Sequence, residues 1–207
     1  MNSMGNATRR IVVSGGIGVG KTTLASRLHE LLPKSLLLLE YPEQNPFLAD
    51  FYADMKRWAF HSRIAMLAMF AKRESDAAAL TSESIATIVM DRCLSEGVVF
   101  ARLQHAAGNM TGKEFETYLS LRDTLLSCAP PLDVVIHLSC DVTTALARVR
   151  TRARPFEAGV TTEYLARIAT AYEGWIAELP ATTRVMRCDT SSSVPLDHLV
   201  REILELT

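Results

Sequence analysis

The sequence has 207 residues, a formal net charge of −1, and 48% hydrophobic and 22% charged residues, values typical of a soluble globular domain with a sizeable core. This balance excludes a dedicated nucleic-acid binder and a polybasic membrane binder, because both need an excess of basic residues. No apolar run approaches the roughly 20 residues that cross a bilayer. We expect a single domain over 1–207, with residues 1–8 as a loose polar tail.

The first recognisable element is a glycine-rich segment, GGIGVGKT at 15–22, between a short apolar strand at 10–14 and an amphipathic helix at 22–32. It fits the phosphate-binding pattern of Gly, four residues, then Gly-Lys-Thr. Glycines let the backbone N–H groups approach phosphate oxygens, and Lys21 can reach the β- and γ-phosphates. The sequence therefore predicts bound ATP and Mg²⁺. The expected nucleotide contacts are Gly15, Gly16, Ile17, Gly18, Val19, Gly20, Lys21, Thr22 and Thr23.

Further apolar strands alternate with helical patterns along the rest of the chain. Strands are predicted at 35–40, 85–90, 134–138 and 184–188, and helices at 54–80, 95–105, 111–127, 141–151, 161–178 and 196–204. This alternation predicts an α/β fold with three α/β/α layers, in which helices cover both faces of a five-stranded parallel sheet. Such sheets bind ligands at the carboxyl ends of their strands.

Charged residues follow the second and third predicted strands and should meet the phosphate loop at one edge of the sheet. Asp91 is suited to Mg²⁺ together with Thr22, because hard cations prefer oxygen ligands; the alternative role of Asp91 is a helix cap. Arg92 could hold phosphate or an acceptor hydroxyl, or be a surface arginine. Glu40 is the best candidate for a general base, and Glu43 is a weaker one.

An arginine-rich run occupies the end of the helix at 141–151 and the loop that follows it. Arg148, Arg150, Arg152 and Arg154 alternate along this run. A charge run is usually a solvated face, but beside a phosphate loop it predicts a lid, at 152–159, that closes over the triphosphate. We assign Arg148 to the nucleotide, since it shares a helix face with Arg152.

Taken together, these segments resemble the deoxynucleoside kinase family, particularly its bacterial deoxyadenosine/deoxyguanosine kinase branch. The resemblance extends from the first strand to the helix after the lid, nearly the whole chain. The segments that carry it are 15–23, Glu40 with 45–48, 50–58, Asp91-Arg92, 152–157, Tyr164-Leu165 and 172–175.

The resemblance implies a P-loop kinase and a role for each matching residue. Glu40 matches the base that takes the proton from the 5′-hydroxyl, and Arg92 matches the arginine of an Asp-Arg-Ser signature. Tyr52 and Glu157 match residues that hold the sugar 3′-hydroxyl, and Trp58 matches an aromatic wall of the nucleoside pocket. The resemblance also implies that Arg152 and Arg154 are lid arginines that act in catalysis, and that the protein is a homodimer built on the long helix.

Several positions depart from the family pattern. Tyr41 stands where a proline usually follows the catalytic acid, Cys93 replaces the signature serine, and Ala153 replaces a lid glycine, which should stiffen the lid. Gly97 stands where an acid often helps to read the base. Arg63 stands where the family has a base-reading glutamine.

Arg63 also stands out from the helical pattern alone, because it falls near the middle of an apolar arc beside Leu67 and Phe70. A buried guanidinium needs an acidic partner, a ligand or a route to water. Three roles are therefore open for Arg63: substrate binding, an internal salt bridge, or a pair at a subunit interface. As a pure donor, it would suit an acceptor-rich edge such as guanine O6/N7.

We expect an ATP-dependent kinase that phosphorylates the 5′-hydroxyl of a deoxyribonucleoside, with a purine favoured. One alternative is a nucleoside monophosphate kinase, with Arg63 on the acceptor phosphate, or a kinase of another nucleoside-like acceptor. Another is a nucleotide-binding regulatory protein without turnover. The expected partners are a nucleoside and a nucleoside triphosphate, without a nucleic-acid polymer or a membrane.

The cysteines point to a cytoplasmic location. Cys93, Cys128, Cys140 and Cys188 lie far apart and include no Cys-x-x-Cys pair. This pattern indicates reduced thiols and not a disulfide framework or a zinc site.

Overall fold

A computed structural model describes residues 8–80, 84–192, 200, 201, 204 and 205. Within these residues a parallel sheet of five strands has the order β2-β3-β1-β4-β5. The strands are β1 (Arg9–Gly15), β2 (Ser35–Leu38), β3 (Thr87–Asp91), β4 (Val134–Ser139) and β5 (Arg184–Asp189). The predicted five-stranded α/β fold is therefore confirmed.

Seven helices of the described chain flank this sheet. They are α1 (Lys21–Leu31), α2 (Leu48–Ala53), α3 (Met55–Ala79), α4 (Gly97–Ala106), α5 (Gly112–Ser127), α6 (Val142–Arg152) and α7 (Thr162–Ala177). The helix α2 was not predicted, and most of the helix predicted at 196–204 lies outside the described residues, as do residues 1–7 of the predicted tail. None of the helices that the structure describes is long and apolar enough to cross a membrane.

Side chains of β1 alternate between two hydrophobic clusters, one on each face of the sheet. Ile11 and Val13 belong to the cluster that contains Leu24 and Leu28 of α1. Val12 belongs to the cluster formed with α3, α4 and α7. All three β1 residues have 0% exposure, and burial of each such side chain contributes about 1.5–3 kcal/mol. This alternation accounts for the three-layer arrangement.

The strand β2 is short and lies at one edge of the sheet, where it pairs only with β3. Its last pair is Leu38 with Met90. The predicted strand at 35–40 was therefore two residues too long, because Leu39 and Glu40 have no partner in the ladder. Glu40 consequently lies in the loop after β2, beside the end of β3.

Candidate active site

The phosphate loop joins β1 to α1 in a conformation that requires glycine. Gly15 and Gly18 have φ values of 136° and 82°. A Cβ at Gly15 would lie 2.3 Å from Leu138 O, and one at Gly18 would lie 2.5 Å from Ala145 O. Only glycine therefore allows the loop to pack so closely against β4 and α6.

Lys21 folds back over this loop, and its Nζ donates to Gly16 O at 2.6 Å. The side chain is buried, with 8% of the residue exposed. Burial, together with the nearby Arg92 charge, lowers the pKa of Lys21 to about 8. The ammonium therefore lies where phosphate oxygens would bind, but it loses its proton more easily than an exposed lysine does.

Thr22, in the first turn of α1, and Asp91, the last residue of β3, form an oxygen-rich pair. Thr22 Oγ1 donates to Asp91 Oδ2 at 2.5 Å, and Asp91 Oδ1 is buried without a hydrogen-bond partner in the described structure. These are ligand atoms that Mg²⁺ prefers. Within the described ranges no group of three or more His, Cys, Asp or Glu could hold a metal ion. A cation here would therefore need phosphate oxygens and water as further ligands.

Arg92 connects two carboxylates beside this pair. Its Nε donates to Glu40 Oε2 at 2.8 Å, and its Nη1 donates to Glu96 Oε1 at 2.6 Å. The Tyr172 hydroxyl accepts from Arg92 and donates to Glu96. Burial opposes ionisation of Glu40, but the charges of Arg92 and Lys21 outweigh it and lower its pKa. Glu40 is therefore a carboxylate at neutral pH.

Two members of this network were not assigned a role from the sequence. Glu96 lies four residues after Arg92, just before α4, and is 1% exposed. Arg92 has a left-handed backbone with φ of 63°, so helical spacing could not have indicated this pair. Tyr172 is 80 residues from Arg92 along the chain, and its position on the apolar face of α7 gave no signal of a polar contact.

A second arginine, Arg73 of α3, holds the ends of β2 and β3. Its Nη1 donates to Leu39 O at 3.0 Å and to Asp91 O at 3.1 Å. Its Nη2 donates to Arg92 O at 2.7 Å. The backbone on either side of the Glu40–Arg92 pair is therefore fixed from one helix.

A cavity runs from the phosphate loop into the space between α3, α4 and α5. Its lining includes Lys21, Thr22, Glu40, Asp91 and Arg92 at the sheet, and Phe51, Tyr52, Arg63, Phe100, Gln104, Tyr118, Glu157 and Tyr164 farther in. One continuous space thus joins the predicted phosphate, metal and nucleoside residues.

The lid residues lie over this cavity and are linked to each other. Arg152 Nη2 donates to both Glu157 oxygens, at 2.6 and 2.8 Å, and Arg154 lies 3.8 Å from the same carboxylate. The Phe156 ring stacks on Tyr52 with 5.9 Å between centroids. Both lid arginines therefore contact Glu157, one of the two predicted sugar ligands, and Phe156 of the same segment packs on the other, Tyr52.

Arg148 is not one of the residues that line the cavity. Its Nη2 donates to Thr190 O at 2.7 Å, and the Thr190 hydroxyl donates to Val19 O at 3.0 Å. Arg148 is thus connected to the loop through Thr190, and its guanidinium is exposed. Its contact with a nucleotide stays a prediction.

Trp58 does not line the cavity described above, although the resemblance assigns it to a pocket wall. It stacks on Phe47 with 5.6 Å between centroids and contacts His61 at 5.1 Å. Five residues separate Trp58 from Arg63 on α3, so the two side chains point to different sides of the helix. Packing of the N-terminal turn of α3 explains this tryptophan.

Arg63 points into the cavity and makes no salt bridge with a described residue. Its Nη2 donates a long 3.3 Å hydrogen bond to Ser62 Oγ, and its Nε has no partner in the described structure. The guanidinium carbon lies 5.5 Å from the Phe51 ring and 5.7 Å from the Phe100 ring. Of the three roles open for Arg63, the geometry favours substrate binding over an internal salt bridge.

The chain is similar in sequence to known proteins. The family model described as deoxynucleoside kinase matches residues 11–204. The chain is 34% identical over 170 residues to the deoxyadenosine/deoxycytidine kinase of Bacillus subtilis (strain 168), covering 81% of this chain and 76% of that protein. It is 28% identical over 174 residues to the deoxyguanosine kinase of the same strain, covering 84% and 81%.

The fold also matches a solved structure, that of deoxyadenosine kinase from M. mycoides with the products dCMP and a flexible dCDP bound. The TM-score is 0.82 at 23% sequence identity, and the match covers 95% of this chain and 97% of that one. At this identity the likeness shows the fold alone. With the family model matching most of its length, the chain belongs to the deoxynucleoside kinase family.

Proposed function

We propose that this family member transfers the γ-phosphoryl group of ATP to the 5′-hydroxyl of a purine deoxyribonucleoside and releases the monophosphate. The observation that carries the proposal is the position of Glu40. Its ionised carboxylate lies within one cavity between the phosphate loop and the Tyr52–Glu157 region. A 5′-hydroxyl held there would face the general base Glu40 on one side and the triphosphate on the other.

Glu40 accepts the proton of the 5′-hydroxyl as the oxygen attacks the γ-phosphorus, and the bond from phosphorus to the bridging oxygen of ADP breaks. Arg92 holds the carboxylate in place through its 2.8 Å hydrogen bond. General bases of this kind contribute about 10²–10⁴-fold to the rate. Lys21 exchanges Gly16 O for the β- and γ-phosphate oxygens.

Thr22 and Asp91 would hold Mg²⁺, since Asp91 Oδ1 is buried without a described partner and both residues supply oxygen ligands. A bound Mg²⁺ would neutralise charge on the phosphates. On the opposite side, Tyr52 and Glu157 would hold the 3′-hydroxyl of the sugar. Release of Glu157 from Arg152 would free that arginine for the phosphates as the lid closes.

The two Bacillus subtilis relatives are named for different substrates, deoxyadenosine and deoxycytidine for one and deoxyguanosine for the other. A purine is favoured here because Arg63 places a pure donor at the far end of the cavity.

We further propose that the enzyme acts in the cytoplasm as a homodimer that pairs through α3.

Steady-state formation of ADP with ATP, Mg²⁺ and each of the four common deoxynucleosides tests the proposal, with Lys21→Ala as the inactive control. We expect turnover with at least one deoxynucleoside and a loss of at least ~10²-fold in the variant, the scale of one charge-stabilising group. Phosphorylation of monophosphates alone would establish the monophosphate-kinase alternative. ATP binding without turnover on any acceptor would establish the regulatory one.

A further inference from the structure

The first residue of α4, Gly97, lies against the hydroxyl of a tyrosine from another helix. A Cβ placed on Gly97 would lie 2.8 Å from Tyr118 Oη, closer than real Cβ atoms come to such an atom. The backbone of Gly97 is not in the left-handed region, so its conformation does not require glycine. The missing side chain instead leaves room for the tyrosine hydroxyl.

Tyr118 lies on α5, is 1% exposed, and lines the inner part of the cavity. Its hydroxyl makes no hydrogen bond with any side chain or backbone group that the structure describes. Because Tyr118 lines the cavity, this hydroxyl is free to bond with a ligand there. Burial raises the pKa of Tyr118 to about 12, so the hydroxyl keeps its proton and can donate.

A second donor reaches the cavity from α4. Gln104 is 3% exposed and lines the same cavity. Its Oε1 accepts from Asn109 Nδ2 at 2.8 Å, which leaves the amide NH₂ group without a partner in the described part of the chain. Arg63 supplies the third donor, from α3. Three helices therefore present hydrogen-bond donors to this cavity.

We propose that Tyr118, together with Arg63 and Gln104, reads the base of the substrate and selects guanine through its O6 and N7 atoms. This inference rests on the proposed function and names the substrate of that site. Guanine presents two adjacent acceptors on this edge, whereas adenine presents N7 beside an amino group that donates, as does the exocyclic group of cytosine. The guanidinium of Arg63 can only donate, so an amino group of adenine or cytosine that faced it would leave both groups without a partner.

The variant Tyr118→Phe removes only the hydroxyl. We expect kcat/KM for deoxyguanosine to fall about tenfold relative to deoxyadenosine, the scale of one lost hydrogen bond. The melting temperature should stay unchanged, because the hydroxyl bonds to no described residue. Deoxyinosine keeps O6 and N7 but lacks the 2-amino group, so it should show the same loss. Tyr41→Phe, at a tyrosine that is 48% exposed, is the matched control and should leave the substrate ranking unchanged.

The variant Gly97→Ala provides an independent test. Its methyl group would displace the Tyr118 hydroxyl, so the substrate ranking should shift in the same direction as in Tyr118→Phe. In the double variant the second substitution should add no further shift, since the hydroxyl is already absent.

Two results would overturn the inference while the proposed function stands. One is an active wild-type enzyme that prefers deoxyadenosine or deoxycytidine to deoxyguanosine. The other is an unchanged ratio of kcat/KM between purines in Tyr118→Phe. A wild-type enzyme that phosphorylates no deoxynucleoside would instead contradict the proposed function itself.

Discussion

Arg92 and Glu40 form an ion pair with 2.8 Å between Nε and Oε2, joining the ends of two neighbouring strands. Arg92 adopts a left-handed backbone with φ of 63°, a conformation that costs roughly 1–2 kcal/mol for a residue with a Cβ. That turn carries its guanidinium back toward the end of β2. The pair keeps the proposed base ionised before any substrate binds.

Replacing Glu40 with glutamine keeps the shape of the side chain and removes its basicity. We expect kcat to fall by ~10²-fold or more, while nucleoside affinity, measured by calorimetry, is largely kept. Glu43→Gln is the matched control and should be nearly as active as wild type. An inactive Glu43→Gln beside an active Glu40→Gln would show that Glu43, and not Glu40, is the general base.

The lowered pKa of Lys21, about 8, predicts a pH dependence of ATP binding. The protonated ammonium binds the triphosphate, so binding weakens as pH rises above the pKa of the free enzyme. Affinity should fall about tenfold per pH unit above that value, as linkage requires while the complex stays protonated. Fluorescence titration with ATP from neutral to alkaline pH checks this. Lys21→Ala should bind weakly with no such slope, and an identical slope in that variant would disprove the assignment.

The two lid arginines should differ in their effect on stability. Arg152→Ala and Arg154→Ala should each lower kcat by about 10–10³-fold, with a smaller change in nucleoside affinity, because their target is charge on the phosphates. Arg152→Ala should also lower the melting temperature more, since it removes the bidentate partner of Glu157, which is 6% exposed. Loss of nucleoside affinity at unchanged kcat would place this loop at the acceptor instead.

Arg73→Met should destabilise the fold and slow the reaction together. It removes the donors to Leu39 O, Asp91 O and Arg92 O, and each stranded carbonyl costs about 1–3 kcal/mol. Urea unfolding and kcat measure the two effects, and Arg73→Lys should partly restore kcat. Lys72→Met, one residue earlier on α3 and exposed, should change stability by less than about 1 kcal/mol. Normal kcat in Arg73→Met would rule out a positioning role.

The sheet and the phosphate loop could be predicted because their signals are local. A glycine pattern, apolar strands and alternation with helices each lie within a few tens of residues. Glu40, Asp91 and Arg92 followed from the rule that parallel strands end at one edge. The apolar arc around Arg63 indicated that this arginine needs a partner, but it left open whether the partner is a substrate, an internal acid or a second subunit.

The rest of the site depends on contacts between distant parts of the chain. Tyr172 and Glu96 are 76 residues apart, and no periodicity reports such a pair. The contact between the Tyr118 hydroxyl and Gly97 is likewise a contact between distant residues. A glycine in the sequence does not indicate which side chain occupies the space left by its missing Cβ. Trp58 was assigned to a wall of the nucleoside pocket by family resemblance. Its stacking on Phe47 is visible only in the structure.

The short edge strand β2 has a consequence for how the protein loses activity on warming. Glu40 follows a strand of four residues that is paired on one side only, and edges of this kind open locally at a lower free energy than the sheet interior. Opening would displace the base while β1, β3 and β4 stay folded. The value of kcat should therefore fall at temperatures below the global melting temperature. The amide hydrogens of 35–38 should exchange with solvent before those of β1.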